Sequence, residues 1–374
     1  MVGKSQNESL THQLLDFLIG ETDGIPKDSN YIYKLYIALK KYEEAAKTAI
    51  IIADQEQEIG NYTLAHSVLY EATQYLEVAK VKIPQTLRQK FILLHSYMLV
   101  KSLVRAGNHT GASRLLQRVI HSISQFPQHI VAILTSAVIE CQRANMKLSC
   151  YEYAVMLMKP EYRPIIDPNL KRKIEAIVRR KIAQNEEAED GMSLCPICSQ
   201  LMPDYQLECN STHEAIPMCV ITGKHMLLDD WCFCPNSKAP ALYSEYVRYI
   251  NSANTPGTGD GSDALASTAT PSGPVTDPIM NKPVSLSDLQ KVETAEAASY
   301  IKRYNNVIDE EAKGPANGDG SKEDPETDPQ DDKDGEGSSS SRGNGGRSLR
   351  DSPTNGKANV SRMRGKKVTA KSKG

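Results

Sequence analysis

Apolar residues recur every three or four positions along most of the first half of the chain. The segment YIYKLYIALKKYEEAAKTAIIIADQEQ shows the pattern clearly, with apolar positions that run from Tyr33 to Ile52. This spacing places an apolar stripe along a helix, and the stripe must be buried against other helices. We therefore predict an all-α domain over residues 30–185, preceded at 1–29 by a flexible segment or by the start of the same helical arm.

The helical pattern is interrupted at intervals that suit helix pairs. Gly60, Pro84 and Gly107 break the apolar run and mark turns. Four related segments, KKYEEA, GNYTLA, GNHTGA and ANMKLS, each carry a small residue four positions after Lys41, Asn61, Asn108 or Asn145. A small residue at that point lets two helices approach closely. The intervals of 20, 47 and 37 residues are irregular, so we predict a degenerate tetratricopeptide-like α-solenoid, with an ordinary helical domain as the alternative.

Composition divides the rest of the chain into a hinge, a cysteine-rich module and a tail. Acidic residues dominate the hinge at 186–193, and the cysteine-rich module follows at 194–250. Residues 251–374 are rich in Gly, Ser, Pro and Asp, with few apolar residues to bury. This composition predicts a disordered low-complexity tail that has room for one short helix near 284–311.

Charge and hydropathy limit the partners that the sequence suggests. The net charge is −2, but the tail separates its charges, with twelve acids against three lysines in 309–336 and ten basic residues against one acid in 342–373. No aromatic residue interleaves the basic block, so we predict no nucleic-acid partner, and a basic-tail nucleic-acid binder is a minor alternative. No apolar run reaches the roughly 18 residues that a membrane span needs. The chain is therefore not expected to span a membrane, and its N-terminus lacks the layout of a signal peptide.

Six of the eight cysteines lie between Cys195 and Cys234. Such clustering is more typical of a metal site than of a disulfide framework. Cys195-Pro-Ile-Cys198 is a CxxC pair, the shortest spacing that lets two thiolates face one ion from a tight turn. The other candidate ligands are Cys209, Cys219, His225 and Cys234, with His213 and Cys232 as weaker candidates.

Spacing does not assign the ligands beyond the first CxxC pair. We expect one structural Zn²⁺ ion, whose site is completed by two of Cys209, Cys219 and His225. A second ion is not expected, because Thr212 stands where Cys209 needs a partner and the CPNS that begins at Cys234 lacks its last ligand. A closed zinc site would supply folding energy to a segment that is too short to build its own core.

The sequence predicts no catalytic residue. The HExxH and HxE…CxxC patterns of zinc hydrolases are absent, and the histidines from His66 to His129 share no motif with a carboxylate or a cysteine. We predict a non-enzymatic binding protein, without assigning the partner-facing residues of the solenoid. The enzymatic alternative is a RING-like ubiquitin ligase that uses residues 194–237, because Ile197 and Trp231 resemble the apolar residues with which such modules grip a conjugating enzyme.

Long segments between residues 30 and 250 resemble one known family. They are YKLYIALKKYEEAAKTAIIIADQEQEIGNY, ILLHSYMLVK, FPQHIVAILTSAVIECQRA and AVMLMKPEYRPIID, followed by CPIC, ITGKHMLLDDW and ALYSEY. These segments are similar to the C-terminal end of the WD-repeat core subunit of the intraflagellar transport A complex. Members of that family carry N-terminal propellers, a helical repeat arm and a zinc-binding end. The resemblance implies that this chain corresponds to the arm and the zinc-binding end, with the propellers absent.

The resemblance also implies a function. Family members are scaffolds of the cilium or flagellum and basal body, on the cytoplasmic side, where they act in retrograde transport, cilium assembly and the delivery of membrane proteins. The implied partners are other complex-A subunits and, as further candidates, ciliary membrane-protein cargo adaptors. The chain departs from the family pattern at Thr212, at CPNS, and after residue 250, where an expected CPxC pair is replaced by a segment that we interpret as linker.

Overall fold

A computed structural model describes residues 8–180, 191–254 and 275–305. Helices dominate the first of these ranges, as the apolar spacing predicts. They are α1 (Glu8–Ile19), α2 (Ser29–Ala38), α3 (Tyr42–Ile59), α4 (Tyr62–Val78), α5 (Gln85–Arg105), α6 (His109–Ile120), α7 (Ile130–Arg143), α8 (Lys147–Leu157) and α9 (Pro168–Val178). Two 3₁₀ helices, Ile123–Gln125 and Pro127–His129, lie between α6 and α7. None of the helices in the three described ranges has the length and apolar character needed to cross a membrane.

Each of the four related segments in the sequence begins a helix. Their small residues, which lie in the first turns of α3, α4, α6 and α8, are all buried: Ala45, Ala65, Ala112 and Ser149. Each helix of the arm packs mainly against the helix before it and the helix after it. This succession of neighbouring contacts is the arrangement of a solenoid. The prediction of an all-α solenoid arm is confirmed.

The core of the arm is a continuous apolar layer between successive helices. Leu69 of α4, Leu94 of α5 and Leu115 of α6 are fully buried, and each such side chain stabilises the fold by about 1.5–3 kcal/mol. Phe126 fills the bend between α6 and α7, where its ring centre lies 5.1 Å from that of Tyr62 in α4. The bend is thereby attached to the middle of the arm.

The cysteine-rich module contains two small antiparallel sheets. β1 (Met192–Leu194) pairs with β2 (Leu201–Pro203), and β3 (Trp231–Phe233) pairs with β4 (Pro240–Leu242). α10 (Tyr243–Asn254) begins directly after β4. Strands of three residues cannot bury a core by themselves, so this part of the fold depends on its turns and on its packing against the arm.

The structure extends the module beyond the boundary predicted at residue 250. Residues 275–305 contain a 3₁₀ helix (Leu286–Asp288) and α11 (Thr294–Tyr304). Five of their apolar side chains are buried in the core of the module: Val275, Val284, Leu289, Ala297 and Ile301. The helix predicted near 284–311 is therefore present. The residues around it were expected to belong to the tail, but their apolar side chains are buried in the core of the module. The rest of the predicted tail, and most of the predicted hinge, lie outside the described residues.

Candidate metal centre

The module contains five turns that share one backbone conformation. In each, the N–H of the fifth residue donates to the carbonyl oxygen of the first, and the N–H of the first donates to the carbonyl oxygen of the sixth, at 2.8–3.0 Å. The fifth residue has a positive φ of 55–75° in every case. We number these knuckle turns 1 to 5, and they span 195–200, 209–214, 219–224, 234–239 and 277–282.

The first and fourth residues of a knuckle turn are the positions that a CxxC pair occupies. We call them the ligand positions, because two thiolates placed there can face one ion. The residues at the first position are Cys195, Cys209, Cys219, Cys234 and Asp277, in order, and those at the fourth are Cys198, Thr212, Thr222, Ser237 and Met280. Only turn 1 carries a cysteine at both ligand positions.

Turns 1 and 2 bring three thiols together. The sulfur atoms of Cys195, Cys198 and Cys209 lie within 4.8 Å of one another, and this is the one group of three potential metal ligands among the described residues. Met202 and Ile216 pack beside them and are buried. Three thiols with no carboxylate form a soft ligand set of the kind that suits zinc. The cluster fits a Zn²⁺ ion with three protein ligands.

Turn 2 departs from a complete site at its fourth position, where Thr212 replaces a cysteine. The Thr212 hydroxyl donates to a Glu214 carboxylate oxygen at 2.9 Å. Burial alone would raise the pKa of the Cys209 thiol, but hydrogen bonds from the side chain and backbone of Thr212, from Ser211 and from Cys198 together lower that pKa to about 6. Together these hydrogen bonds favour the thiolate form of Cys209, the form in which a cysteine binds metal.

The two histidine candidates lie outside the three-thiol cluster. His225 contacts the Ser193 hydroxyl through Nε2 at 3.0 Å, and that hydroxyl donates to Asp204 at 2.8 Å. Burial lowers the pKa of His225, which keeps the ring neutral. His213 is the fifth residue of turn 2, and its Nδ1 lies 2.9 Å from a carboxylate oxygen of Glu208 at the protein surface.

Cys219 and Cys232 lie in the apolar core of the module. The sulfur of Cys219 accepts a hydrogen bond from the N–H of Leu242 at 3.3 Å, and the thiol of Cys232 donates to the carbonyl oxygen of Ala241 at 3.4 Å. Burial raises the pKa of Cys219, and it raises the pKa of Cys232 to about 12. Both thiols are therefore protonated at neutral pH unless a metal binds them.

Turns 4 and 5 face each other, as turns 1 and 2 do. The thiol of Cys234 donates to Oδ2 of Asp277 at 2.8 Å, and the hydroxyl of Tyr246 lies 2.9 Å from the same sulfur. Burial raises the pKa of the Cys234 thiol. Cys234 is thus separated from the three-thiol cluster and has a carboxylate partner.

Asp277 is a site residue that the sequence did not indicate, because a linker was expected after residue 250 in place of a CPxC pair. The segment Asp277-Pro-Ile-Met280 forms turn 5, and it has the spacing of Cys195-Pro-Ile-Cys198 with both cysteines replaced. The signal in the sequence was the repeated Pro-Ile, followed by Asn281 at the position of positive φ, where Asn is tolerated better than most residues.

Arg118 of α6 joins the module to the arm. Its guanidinium group donates to the carbonyl oxygens of Tyr205 at 2.6 Å and Gly223 at 3.1 Å, and it also contacts Ser96 Oγ at 3.0 Å and Met218 Sδ at 3.1 Å. Burial lowers the pKa of Arg118 to about 10, so the group remains charged at neutral pH. This one side chain bonds to turn 3 and to the loop before turn 2.

A pair of buried histidines forms a second attachment. His95 Nε2 lies 2.9 Å from the carbonyl oxygen of Val220 in turn 3, and His66 Nε2 lies 3.0 Å from His95 Nδ1. Because a carbonyl oxygen only accepts, His95 carries its proton on Nε2 and accepts a hydrogen bond from His66. Burial lowers the pKa of His95 to about 4 and lowers that of His66 well below its usual value.

α11 contacts both the arm and turn 2. The Arg88 guanidinium lies 3.9 Å from the ring centre of Tyr304 and donates to its carbonyl oxygen at 2.6 Å. The next residue, Asn305, exchanges two hydrogen bonds with the backbone of Ala215, at 2.9 and 3.1 Å. The C-terminal end of α11 therefore bridges α5 and the residue that follows turn 2.

The fold and the turns define a class of protein, a helical-repeat arm that carries a module of cysteine knuckle turns. The chain is 50% identical over 254 residues to WD repeat-containing protein 19 of Mus musculus and to that of Homo sapiens, a match that covers 68% of this chain and 19% of each relative. It is 39% identical over 243 residues to WD repeat-containing protein dyf-2 of Caenorhabditis elegans, covering 65% of this chain and 17% of that relative. The chain matches no family model.

These identities confirm the resemblance that the segments in the sequence suggest. The chain belongs to the family of WD repeat-containing protein 19, and it spans about a fifth of the length of the relatives that it matches.

Proposed function

We propose that the chain is a non-enzymatic scaffold subunit of the intraflagellar transport A complex. In this role it acts through protein–protein contacts in retrograde ciliary transport, in cilium assembly and in the delivery of membrane proteins to cilia. Its site of action is the cilium or flagellum and the basal body, on the cytoplasmic side. The observation that carries the proposal is the 50% identity over 254 residues to WD repeat-containing protein 19.

Exposed apolar side chains support a binding role. Leu194 and Leu201 lie opposite each other on β1 and β2, and they are 56% and 64% exposed, with Met192 on the same face 53% exposed. Ile59 and Val78 at the ends of α3 and α4 are 68% and 83% exposed. Clustered apolar side chains at a surface mark interaction sites, and the proposed partners are other complex-A subunits together with cargo adaptors for membrane proteins.

The proposed cofactor is one structural Zn²⁺ ion, held by Cys195, Cys198 and Cys209. When bound, the ion would join turns 1 and 2 and add folding energy to a region with little core of its own. Met202 and Ile216 are buried beside the thiols, and hydrogen bonds from the neighbouring residues of turns 1 and 2 lower the pKa of Cys209 and so favour its thiolate form.

Among the residues that the structure describes, none favours the RING-like ligase. Trp231, one of the two side chains expected to grip a conjugating enzyme, is fully buried and packs against Tyr300 of α11 with ring centres 5.6 Å apart. Ile197, the other side chain, is partly buried against the core of the module. A fully buried Trp231 cannot serve as a docking residue unless α11 leaves.

Affinity capture from ciliated cells tests the scaffold proposal. The tagged chain is expressed beside a double variant, Leu194→Asp with Leu201→Asp, and the captured proteins are identified by mass spectrometry. We expect complex-A subunits with the wild-type chain and at least about a tenfold smaller yield with the double variant. As the matched control, Gln200→Asp changes an exposed residue of the same hairpin and should leave the yield unchanged. A folded wild-type chain that captures no complex-A subunit would overturn the proposal.

A further inference from the structure

We propose that turns 4 and 5 form a metal-free clasp, in which the carboxylate of Asp277 takes the place that the proposed metal ion would have between turns 1 and 2. This clasp holds residues 275–305 on the module. The inference rests on the conformation of the five turns and on the contacts of Asp277, and its comparison with turns 1 and 2 rests on the zinc ion proposed above.

The distance between Cys234 and Asp277 is too short for two ligands of one ion. Zinc lies about 2.3 Å from a thiolate and about 2.0 Å from a carboxylate oxygen, so a tetrahedral ion sets the sulfur and oxygen about 3.5 Å apart. The observed separation is 2.8 Å. At that distance the thiol donates a hydrogen bond directly to the carboxylate.

The two carboxylate oxygens of Asp277 accept hydrogen bonds from both turns of the clasp. Within turn 5, its Oδ1 accepts hydrogen bonds from the N–H groups of Ile279 at 2.7 Å and Met280 at 3.1 Å. Across to turn 4, its Oδ2 accepts from the thiol of Cys234 and from the N–H of Ser237 at 3.0 Å. The carboxylate therefore satisfies four donors from two turns, which is what a buried charge requires if it is to remain inside a protein.

The clasp is sealed from solvent and continues into the arm. Cys234, Ser237, Tyr246 and Asp277 all have zero exposure. The carbonyl oxygen of Ser237 accepts a hydrogen bond from the Tyr70 hydroxyl of α4 at 2.7 Å. The chain of contacts thus runs from α4 through turn 4 and Asp277 to the segment that carries α11, and no link in it requires an ion.

Metal content and hydrogen exchange of the full chain test the inference directly. We expect one Zn²⁺ per chain. Removal of that ion with a chelator should increase exchange at least tenfold in turns 1 and 2 and leave turns 4 and 5 as protected as before. Two ions per chain, or a loss of protection in turn 5 on chelation, would overturn the clasp.

Variants of Asp277 and Cys234 separate the clasp from a metal site. Asp277→Ala should leave one Zn²⁺ per chain and increase exchange in residues 275–283 at least tenfold, because four donors lose their acceptor. Cys234→Ser keeps a donor toward Asp277 and should preserve most of the protection, whereas Cys234→Ala should not. A loss of zinc in any of these variants would contradict the inference.

A variant designed to gain a metal site in turns 4 and 5 tests the inference even if Asp277→Ala fails to fold. Ser237→Cys, Asp277→Cys and Met280→Cys together place thiols at all four ligand positions of turns 4 and 5. We expect this triple variant to bind two Zn²⁺ per chain and, after Co²⁺ loading, to show about twice the thiolate-to-cobalt absorption. A folded triple variant with a single ion would show that turns 4 and 5 do not face each other as a ligand pair, and the inference would fail.

Discussion

The guanidinium group of Arg118 donates to the main-chain oxygen of Gly223 at 3.1 Å, across 105 positions in the sequence. Directly beside this bond, a Cβ atom added to Gly223 would lie 2.5 Å from Cδ2 of Leu115, one turn before Arg118 on α6. The arm and turn 3 therefore meet through a charged group and a close approach at the same point. Loss of either contact should weaken the attachment of the module.

Arg118→Met should destabilise the folded chain by at least about 2 kcal/mol. The substitution leaves the carbonyl oxygens of Tyr205 and Gly223 without this donor, and each buried unpaired acceptor costs about 1–3 kcal/mol. Urea unfolding of both proteins measures the difference. Arg105→Met, at an exposed position on α5, is the matched control and should change stability by less than about 0.5 kcal/mol. Equal effects would mean that Arg118 contributes no docking energy.

Gly223→Ala should cost more than Gly107→Ala, although both glycines have nearly the same backbone conformation. Their φ angles are +75° and +72°, so each substitution pays about 1–2 kcal/mol for a left-handed conformation. A Cβ at Gly107 meets nothing within 4 Å, whereas one at Gly223 meets Leu115 at 2.5 Å. We expect the difference between the two variants to be about 1–3 kcal/mol in urea unfolding. Indistinguishable values would argue against the close approach.

Stability should fall as the pH drops from about 6.5 toward 4. Burial lowers the pKa of His95 to about 4 in the folded chain, against about 6.5 when unfolded. The unfolded chain therefore binds a proton that the folded chain does not, so stability is full above about pH 6.5 and is lost below it. By pH 5 His95 alone should account for a loss of about 2 kcal/mol.

Denaturant unfolding at a series of pH values measures this dependence. His95→Gln should make the decline between pH 6.5 and 5 shallower by about one proton, since the group that protonates on unfolding has been removed. His121→Gln changes an exposed histidine and should leave the decline as it is. A wild-type profile that is flat down to pH 5 would refute a neutral, buried His95.

Thr212→Cys should tighten metal binding by at least about tenfold. The substitution places a fourth thiol at the open ligand position of turn 2, and even the outer partners of metal ligands affect affinity by about 10–100-fold. Competition with a chromophoric chelator measures the affinity, and Co²⁺ spectra report the added sulfur ligand. Thr212→Ser retains the hydroxyl and serves as the control, with unchanged affinity. No gain with Thr212→Cys would show that this position does not face the ion.

Cys195→Ser should abolish zinc binding, and Cys232→Ser should not. Cys195 belongs to the three-thiol cluster, while the Cys232 thiol donates to Ala241 in the apolar core. Elemental mass spectrometry of the purified chains gives the ratio of zinc to protein. Zinc retained in Cys195→Ser, or lost in a folded Cys232→Ser, would reassign the ligands.

The arm was predictable from sequence because its determinants are local. Ala45 and Ala112 lie within a few positions of the residues that identify each helix start. The spacing of the apolar residues then predicts the helices themselves. Likewise, the CxxC spacing of Cys195 and Cys198 is enough to predict a turn that places two metal ligands together. Each of these features is encoded within one turn of the backbone.

Turn 5 and the docking contacts were not predictable in the same way. A knuckle turn is defined by its hydrogen bonds and by a positive φ, and His213 or Lys238 at that position gives no recognisable signal. The carboxylate of Asp277 is a chemically different group at a thiol position. Arg118 is one of many arginines in the sequence, and only the folded chain shows that its partners lie about a hundred residues away.

The distance along the chain between docking partners sets the order in which the protein is assembled during synthesis. The helices of the arm contact their neighbours, so they can fold as they emerge. Tyr70 must wait for Ser237, 167 positions later, and Arg88 for Tyr304, 216 positions later. At roughly 5–20 residues per second, about 6–25 s pass between the end of the arm at residue 180 and the synthesis of Tyr304, and Arg88 lacks this partner during that time. A nascent chain of this protein therefore presents the docking side of its arm to the cell for a defined time.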